Sequence, residues 1–151
     1  MAQTKFIKVA FFDIGQTLVK GKKWIPGAKK LLKELRSRDI RLGLITDTGT
    51  LKRAEVLNML PQDFDLKLFD PELVFMSSEV GFDKSDSRIF KLAIKKAGVK
   101  PRFCLFCTED EEHLMRAESL DMRGAKVRLP PDTDIDKLLQ KLIANGLVPG
   151  Q

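Results

Sequence analysis

The sequence predicts a doubly wound α/β domain, a mainly parallel five-stranded sheet with helices on both faces. Three observations predict it. Five short apolar runs alternate along the chain with segments whose apolar residues recur at helical spacing. Helix start and stop signals fall between them, and no repeat interrupts the alternation. With 151 residues, 43% of them hydrophobic, the chain suits one unit over 1–151 with a sizeable core.

The first strand is "KFIKVAFFDI", a long apolar run that belongs in the middle of a sheet covered on both faces. "IPGAKKLLKELRSR" follows as an amphipathic helix, with Pro26 near its start and Leu31, Leu32 and Leu35 on one face. "IRLGLITD" is the second strand, and "TLKRAEVLNML" a helix stopped before Pro61. After a polar and aromatic connection comes the third strand, "ELVFMSSE". "SDSRIFKLAIKKAG" carries a Ser/Asp start and a stop at Gly98, and leads to the fourth strand, "RFCLFCT". "DEEHLMRAESLD" is a helix with acids in its first turn, "AKVRLP" the short fifth strand, and "DTDIDKLLQKLIANG" a closing helix that ends at Gly146. Strands separated by helices imply crossover connections and parallel pairing.

Composition narrows the function. Two Cys are too few for a disulfide scaffold, and no apolar stretch is long enough to cross a membrane. Asp13 interrupts the first apolar run, so the start has no signal-peptide layout and a cytoplasmic location is expected. The net charge of +6 is spread over helices in which bases interleave with acids, without alternating aromatics, which argues against nucleic acid. The cluster "KGKK", Lys20 to Lys23, is the exception; it suits a solvated loop or draws in an anionic substrate. Cys104 and Cys107 form a CxxC, but residues three apart on a strand face opposite ways, so both belong to core packing.

In a doubly wound sheet, ligands bind beyond the carboxyl ends of the strands. Asp13, Thr46, the acids Glu109 and Asp110, and the loop leading to Lys84 all fall at such ends. Each has a plain structural reading: Thr46 as a turn residue, Asp47 as a cap, Lys84 as a solvated lysine, "EDEE" as a charged first helical turn. His113, the only histidine, is expected at the surface or its boundary, or as a stand-in proton carrier. No GxGxxG or GxxxxGK competes for the site.

Together these segments resemble the haloacid dehalogenase-like (HAD) hydrolase superfamily. "FFDIGQTL" is similar to its first motif, a strand followed by Asp-x-Asp-x-Thr. "IPGAKKLLKELRSRDIRLGLITD" looks like the helix and strand leading to the second motif, which puts Thr46 in its Thr/Ser position, and "GFDKSDSRIF" resembles the third, with Lys84 as its lysine. "EEHLMRAESLDM" looks like the helix after the fourth motif; Ala117 and Met122 fit it, and Asp121 stands where Gly is usual. The resemblance covers roughly Lys5 to Arg128.

That resemblance implies a Rossmann-like sheet of strand order 3-2-1-4-5. It also implies a nucleophile, Asp13, that forms an aspartyl-phosphate. Thr46 and Lys84 would stabilise the transferring phosphoryl group, completed by the backbone at Ile14 and Gly15 and by Asp47. Magnesium would sit among Asp13, the carbonyl of Gly15, and Glu109 or Asp110. Two positions depart from the pattern. Gly15 stands where the second Asp, the general acid and base, is usual, and Thr108 where the fourth motif has its metal-binding acid.

The expectation is therefore a magnesium-dependent phosphatase that favours acyl and aryl phosphates, whose leaving groups need no proton. A catalytically impaired phosphate-binding or protein-interaction domain of the same fold is the alternative. Only 33 positions separate Asp13 from Thr46 and 38 separate Thr46 from Lys84, leaving no room for an inserted cap domain. An open site suits a phosphorylated small molecule or an exposed macromolecular phosphate, or a second subunit that covers it.

Overall fold

The computed structural model describes residues 6–150. The chain runs through β1 (Val9–Phe12), an antiparallel hairpin of β2 (Val19–Lys20) and β3 (Lys23–Trp24), α1 (Ala28–Ser37), β4 (Arg41–Thr46) and α2 (Arg53–Asn58). It continues through β5 (Val74–Met76), α3 (Ser77–Val80), α4 (Ser87–Ala97), β6 (Cys104–Thr108), α5 (Glu111–Glu118), β7 (Arg123–Lys126) and α6 (Leu138–Ala144). The five long-range strands form one parallel sheet in the order β5-β4-β1-β6-β7, which is the expected 3-2-1-4-5 with β1 at its centre.

Alternation along the strands divides the core into two layers. Ala10, Phe12, Leu44, Leu105 and Cys107 face one way, onto Leu31, Leu32 and Leu35 of α1 and Leu138 and Leu142 of α6. Val9, Phe11, Ile45, Cys104 and Phe106 face the other way, onto Ile89, Phe90 and Ala93 of α4 and Ala117 of α5. The two cysteines therefore lie on opposite faces as free, buried thiols, and burial pushes Cys104 up to about 11 and Cys107 higher still. Neither is available as thiolate for redox or metal chemistry.

Close fit sets the sheet's spacing at Gly43, where a Cβ would come within 2.5 Å of the Phe11 ring. Helix α4 starts on the Asp86 carboxylate, which accepts the N–H of Arg88, and stops at Gly98, whose φ of 71° suits glycine.

Several boundaries differ from expectation. The third strand ends at Met76, because Ser77 to Val80 turn into α3 under hydroxyl contacts from Thr48. The fifth strand starts at Arg123, two residues before the expected "AKVRLP" and ends at Lys126, where β6 also runs out. Lys20, Lys22 and Lys23 ride on the β2–β3 hairpin rather than on an irregular loop. Only this hairpin stands between β1 and α1, and only α2 and two 3-10 turns stand between β4 and β5. Lys5, the first residue of the expected first strand, lies outside the described residues. Among the described residues no helix is long and apolar enough to cross a membrane.

Candidate functional site

The site begins where β1 stops. Asp13 extends the β1–β6 pairing by one bond, its N–H donating to the Cys107 carbonyl at 3.2 Å, and then the chain turns. The Ile14 carbonyl accepts the N–H groups of Leu18 and Val19 at 2.9 and 3.1 Å, so residues 14–19 form a tight loop leading into the hairpin. This loop holds Asp13 at the carboxyl edge of the sheet, only 7% exposed. A carboxylate so placed needs partners. Asp13 Oδ1 accepts the Ile14 N–H at 2.8 Å and lies 2.7 Å from the Lys84 ammonium. Its Oδ2 receives no hydrogen bond among the described residues, and neither does any group receive the Gly15 N–H. A Cβ at Gly15 would meet nothing within 4 Å.

Thr46 closes β4 beside Met76 and is 5% exposed; its hydroxyl has no partner among the described residues. Lys84, 2% exposed, is fixed by its own backbone. Its N–H donates to Asp47 Oδ1 at 2.8 Å, and its carbonyl accepts Arg116 of α5 at 2.9 Å. Thr48 adds a second tie across this edge, its N–H donating to the Ser77 hydroxyl at 2.7 Å and its Oγ1 accepting the Ser78 N–H at 3.0 Å. Asp13, Gly15, Thr46, Asp47 and Lys84 thus come together at one edge, from three separate stretches of chain. Sequence reasoning missed Arg116 and Thr48. Both act by bonds to partners about thirty positions away, and nothing local in "LMRAE" or "TDTGT" signals them.

The fourth stretch follows β6. Thr108 is fully buried and its Oγ1 accepts the Asp110 N–H at 3.2 Å. Asp110 is the N-cap of α5, accepting the His113 N–H at 3.1 Å. His113 Nδ1 stands 3.6 Å from Asp110 Oδ2, on a side chain 19% exposed, so this residue sits at the surface boundary. Glu109 behaves differently. Burial lifts its pKa above the ordinary carboxylate value, and the negative charges of Asp13 and Asp110 lift it further against the opposing pull of Lys84 and Lys126. Glu109 therefore lies within electrostatic reach of Asp13.

Among the described residues no group of three or more His, Cys, Asp and Glu side chains gathers to hold an ion. The donors on offer are two carboxylates and the peptide carbonyls beside them. Such a set fits magnesium, which binds through one or two carboxylates and keeps several waters. The raised pKa of Glu109 agrees with this, since a dication would relieve the crowding of like charges.

Residues 10–115 match the haloacid dehalogenase-like hydrolase family. Over 105 residues the chain is 35% identical to glyceraldehyde 3-phosphate phosphatase of Pyrococcus abyssi, covering 68% of this chain and 38% of that protein. The chain thus spans less than half the length of the curated relatives it matches. Among solved structures, a predicted HAD-like family hydrolase from Porphyromonas gingivalis superimposes with a TM-score of 0.74 at 17% identity, over 91% of this chain and 98% of that one. A HAD family enzyme from Bacteroides thetaiotaomicron, in complex with magnesium and inorganic phosphate, gives 0.65 at 14% identity, over 83% and 96%. The family match covers β1 through the first turns of α5, the stretch that carries Asp13, Thr46 and Lys84, and the chain belongs to the haloacid dehalogenase-like hydrolases.

Proposed function

We propose that the chain is a magnesium-dependent phosphatase acting through an aspartyl-phosphate on Asp13. One observation carries this reading: the Asp13–Lys84 ion pair lies beside two donors without partners among the described residues, the Gly15 N–H and the Thr46 hydroxyl. A phosphoryl group fits that arrangement. Its non-bridging oxygens take hydrogen bonds from Gly15 and Thr46 and the charge of Lys84, which Asp47 and Arg116 hold in place. Asp13 attacks phosphorus, the bond to the leaving group breaks, and the electron pair departs with that group. Water then attacks the aspartyl-phosphate, releasing phosphate and restoring the Asp13 carboxylate. Bound magnesium supplies charge that offsets the repulsion between carboxylate and phosphate. Asp13, the Gly15 carbonyl and Glu109 would hold it, Asp110 being already engaged as a helix cap.

The substrate class in this proposal is a phosphorylated small molecule or an exposed macromolecular phosphate, in a cytoplasmic setting that keeps Cys104 and Cys107 reduced. A second copy of the chain covering the open edge belongs to the same proposal. Release of phosphate from glyceraldehyde 3-phosphate, phenyl phosphate and acetyl phosphate, with magnesium and with chelator, tests the reading against Asp13→Asn. Activity in wild type alone supports it. One observation favours the binding-domain alternative: the open space at Gly15 holds no proton carrier. Equal rates for wild type and Asp13→Asn, with retained phosphate binding, would establish that alternative.

A further inference from the structure

Beside the phosphate cradle lies a cavity of about 190 Å³. Gly15, Thr46, Asp47 and Thr48 are on its lining, so it shares the Gly15 and Thr46 donors assigned to the phosphoryl group. The rest of the lining is mostly apolar, with Val19 from the hairpin and Leu51, Val56 and Leu60 from in and around α2. Met59 stands at the mouth, 56% exposed. Asp47 is the only ionisable group on the lining, and its carboxylate already accepts the Lys84 N–H.

We propose that this cavity receives the leaving group of the substrate and that the leaving group is aromatic, making the substrate an aryl phosphate monoester. The inference rests on the phosphatase reading for its chemistry and on the cavity for its specificity. Size fits: a dry apolar cavity of about 150 Å³ holds a benzene ring. Polarity fits as well. Hydroxyls of a sugar or triose that face Val19, Leu51, Val56 and Leu60 would be buried without partners there, at a cost a flat apolar ring does not incur, the polar groups of the lining being Thr46, Asp47 and Thr48.

The departing atom agrees with both. With glycine at position 15, no side chain there hands a proton to the leaving oxygen. A phenol ionises near pH ~10, as tyrosine does, so an aryloxide can leave as the anion. The step balances without a protein acid: Asp13 forms the new bond to phosphorus, the P–O(aryl) bond breaks, its electron pair leaves on the aryloxide, and solvent protonates that ion afterwards. Hydrolysis of the aspartyl-phosphate by one water completes the conversion of aryl phosphate to phenol and inorganic phosphate.

Two phosphonates that cannot be hydrolysed separate the cavity from the chemistry. Calorimetry of phenylphosphonate and methylphosphonate on the wild-type chain with magnesium should give about tenfold tighter binding of the phenyl compound. Leu51→Ser and Met59→Ser should each pull that ratio toward one. Met59 is exposed, so its variant tests the cavity without burdening the fold, and thermal melting checks Leu51→Ser. A ratio near one in wild type, a ratio preserved in both variants, or no binding of either phosphonate overturns the proposal. Should the ratio hold while Asp13→Asn releases phosphate from phenyl phosphate as fast as wild type, the cavity assignment stands and the phosphatase reading falls.

Discussion

The Asp47 carboxylate accepts the backbone N–H of Lys84 at 2.8 Å, tying the end of β4 to the loop that carries the site's buried cation. The charge of Lys84 is thus aimed from outside its own loop. Asp47→Ala should release that loop and weaken phosphate binding about tenfold, with a stability loss of roughly 1–3 kcal/mol for the orphaned N–H. Asp47→Asn keeps an acceptor and should retain most of both. Calorimetry with inorganic phosphate, alongside urea denaturation, distinguishes the two variants.

Lys84 and Asp13 neutralise each other in a poorly solvated corner, so removing one exposes the other's cost. Lys84→Met should abolish measurable phosphate binding and destabilise the chain by about 3 kcal/mol, because it leaves a buried carboxylate unpaired. Adding Asp13→Asn removes that unpaired charge. The double variant should recover most of the stability and none of the binding, and a denaturant series on the four proteins reads the coupling directly.

Gly15 offers a gain-of-function test. Nothing lies within 4 Å of where its Cβ would be, so Gly15→Asp should fold normally. An acid there would protonate a leaving alkoxide, and hydrolysis of alkyl phosphates such as glycerol phosphate should rise about 10²-fold. Rates on aryl phosphates should change far less. An equal rise for both substrates would mean the added carboxylate acts on binding rather than on proton transfer.

Glu109 gives the site a pH signature. Its pKa is raised in the folded chain by burial and by Asp13 and Asp110, so the metal-free protein loses stability as pH rises through that folded value and Glu109 ionises. Below the unfolded glutamate pKa of about 4.3 there is nothing to lose. Glu109→Gln should therefore raise the melting temperature of metal-free protein at neutral pH and leave it unchanged in strong acid. Magnesium should stabilise the wild type more than this variant, and its half-saturating concentration in wild type should climb as pH falls toward the raised Glu109 pKa.

The sheet was legible because its strands carry their own evidence. β1 is buried on both faces, so "VAFF" has no polar alternation and its central place follows. Boundaries depend on partners that a local reading does not see: α3 begins at Ser77 because Thr48, some thirty positions earlier, engages the two serines. In the same way Asp13, Thr46 and Lys84 were marked by their places at strand ends and by resemblance, whereas Arg116 reaches the site through a carbonyl that no motif encodes. The acids after β6 show the limit of spacing. Glu109 and Asp110 are adjacent in sequence, and only the fold separates the one in the field of Asp13 from the one that caps α5.

The empty space around Gly15 also has a hereditary consequence. A glycine codon ending in a pyrimidine becomes an aspartate codon by one base change, and here that change asks nothing of the backbone. Descendants of this chain can therefore gain or discard a proton donor without passing through an unfolded intermediate. A scaffold of this kind lets selection move between a slow hydrolase restricted to good leaving groups and a general phosphatase, or retreat to simple phosphate capture, while Asp13, Lys84 and the sheet beneath them stay as they are.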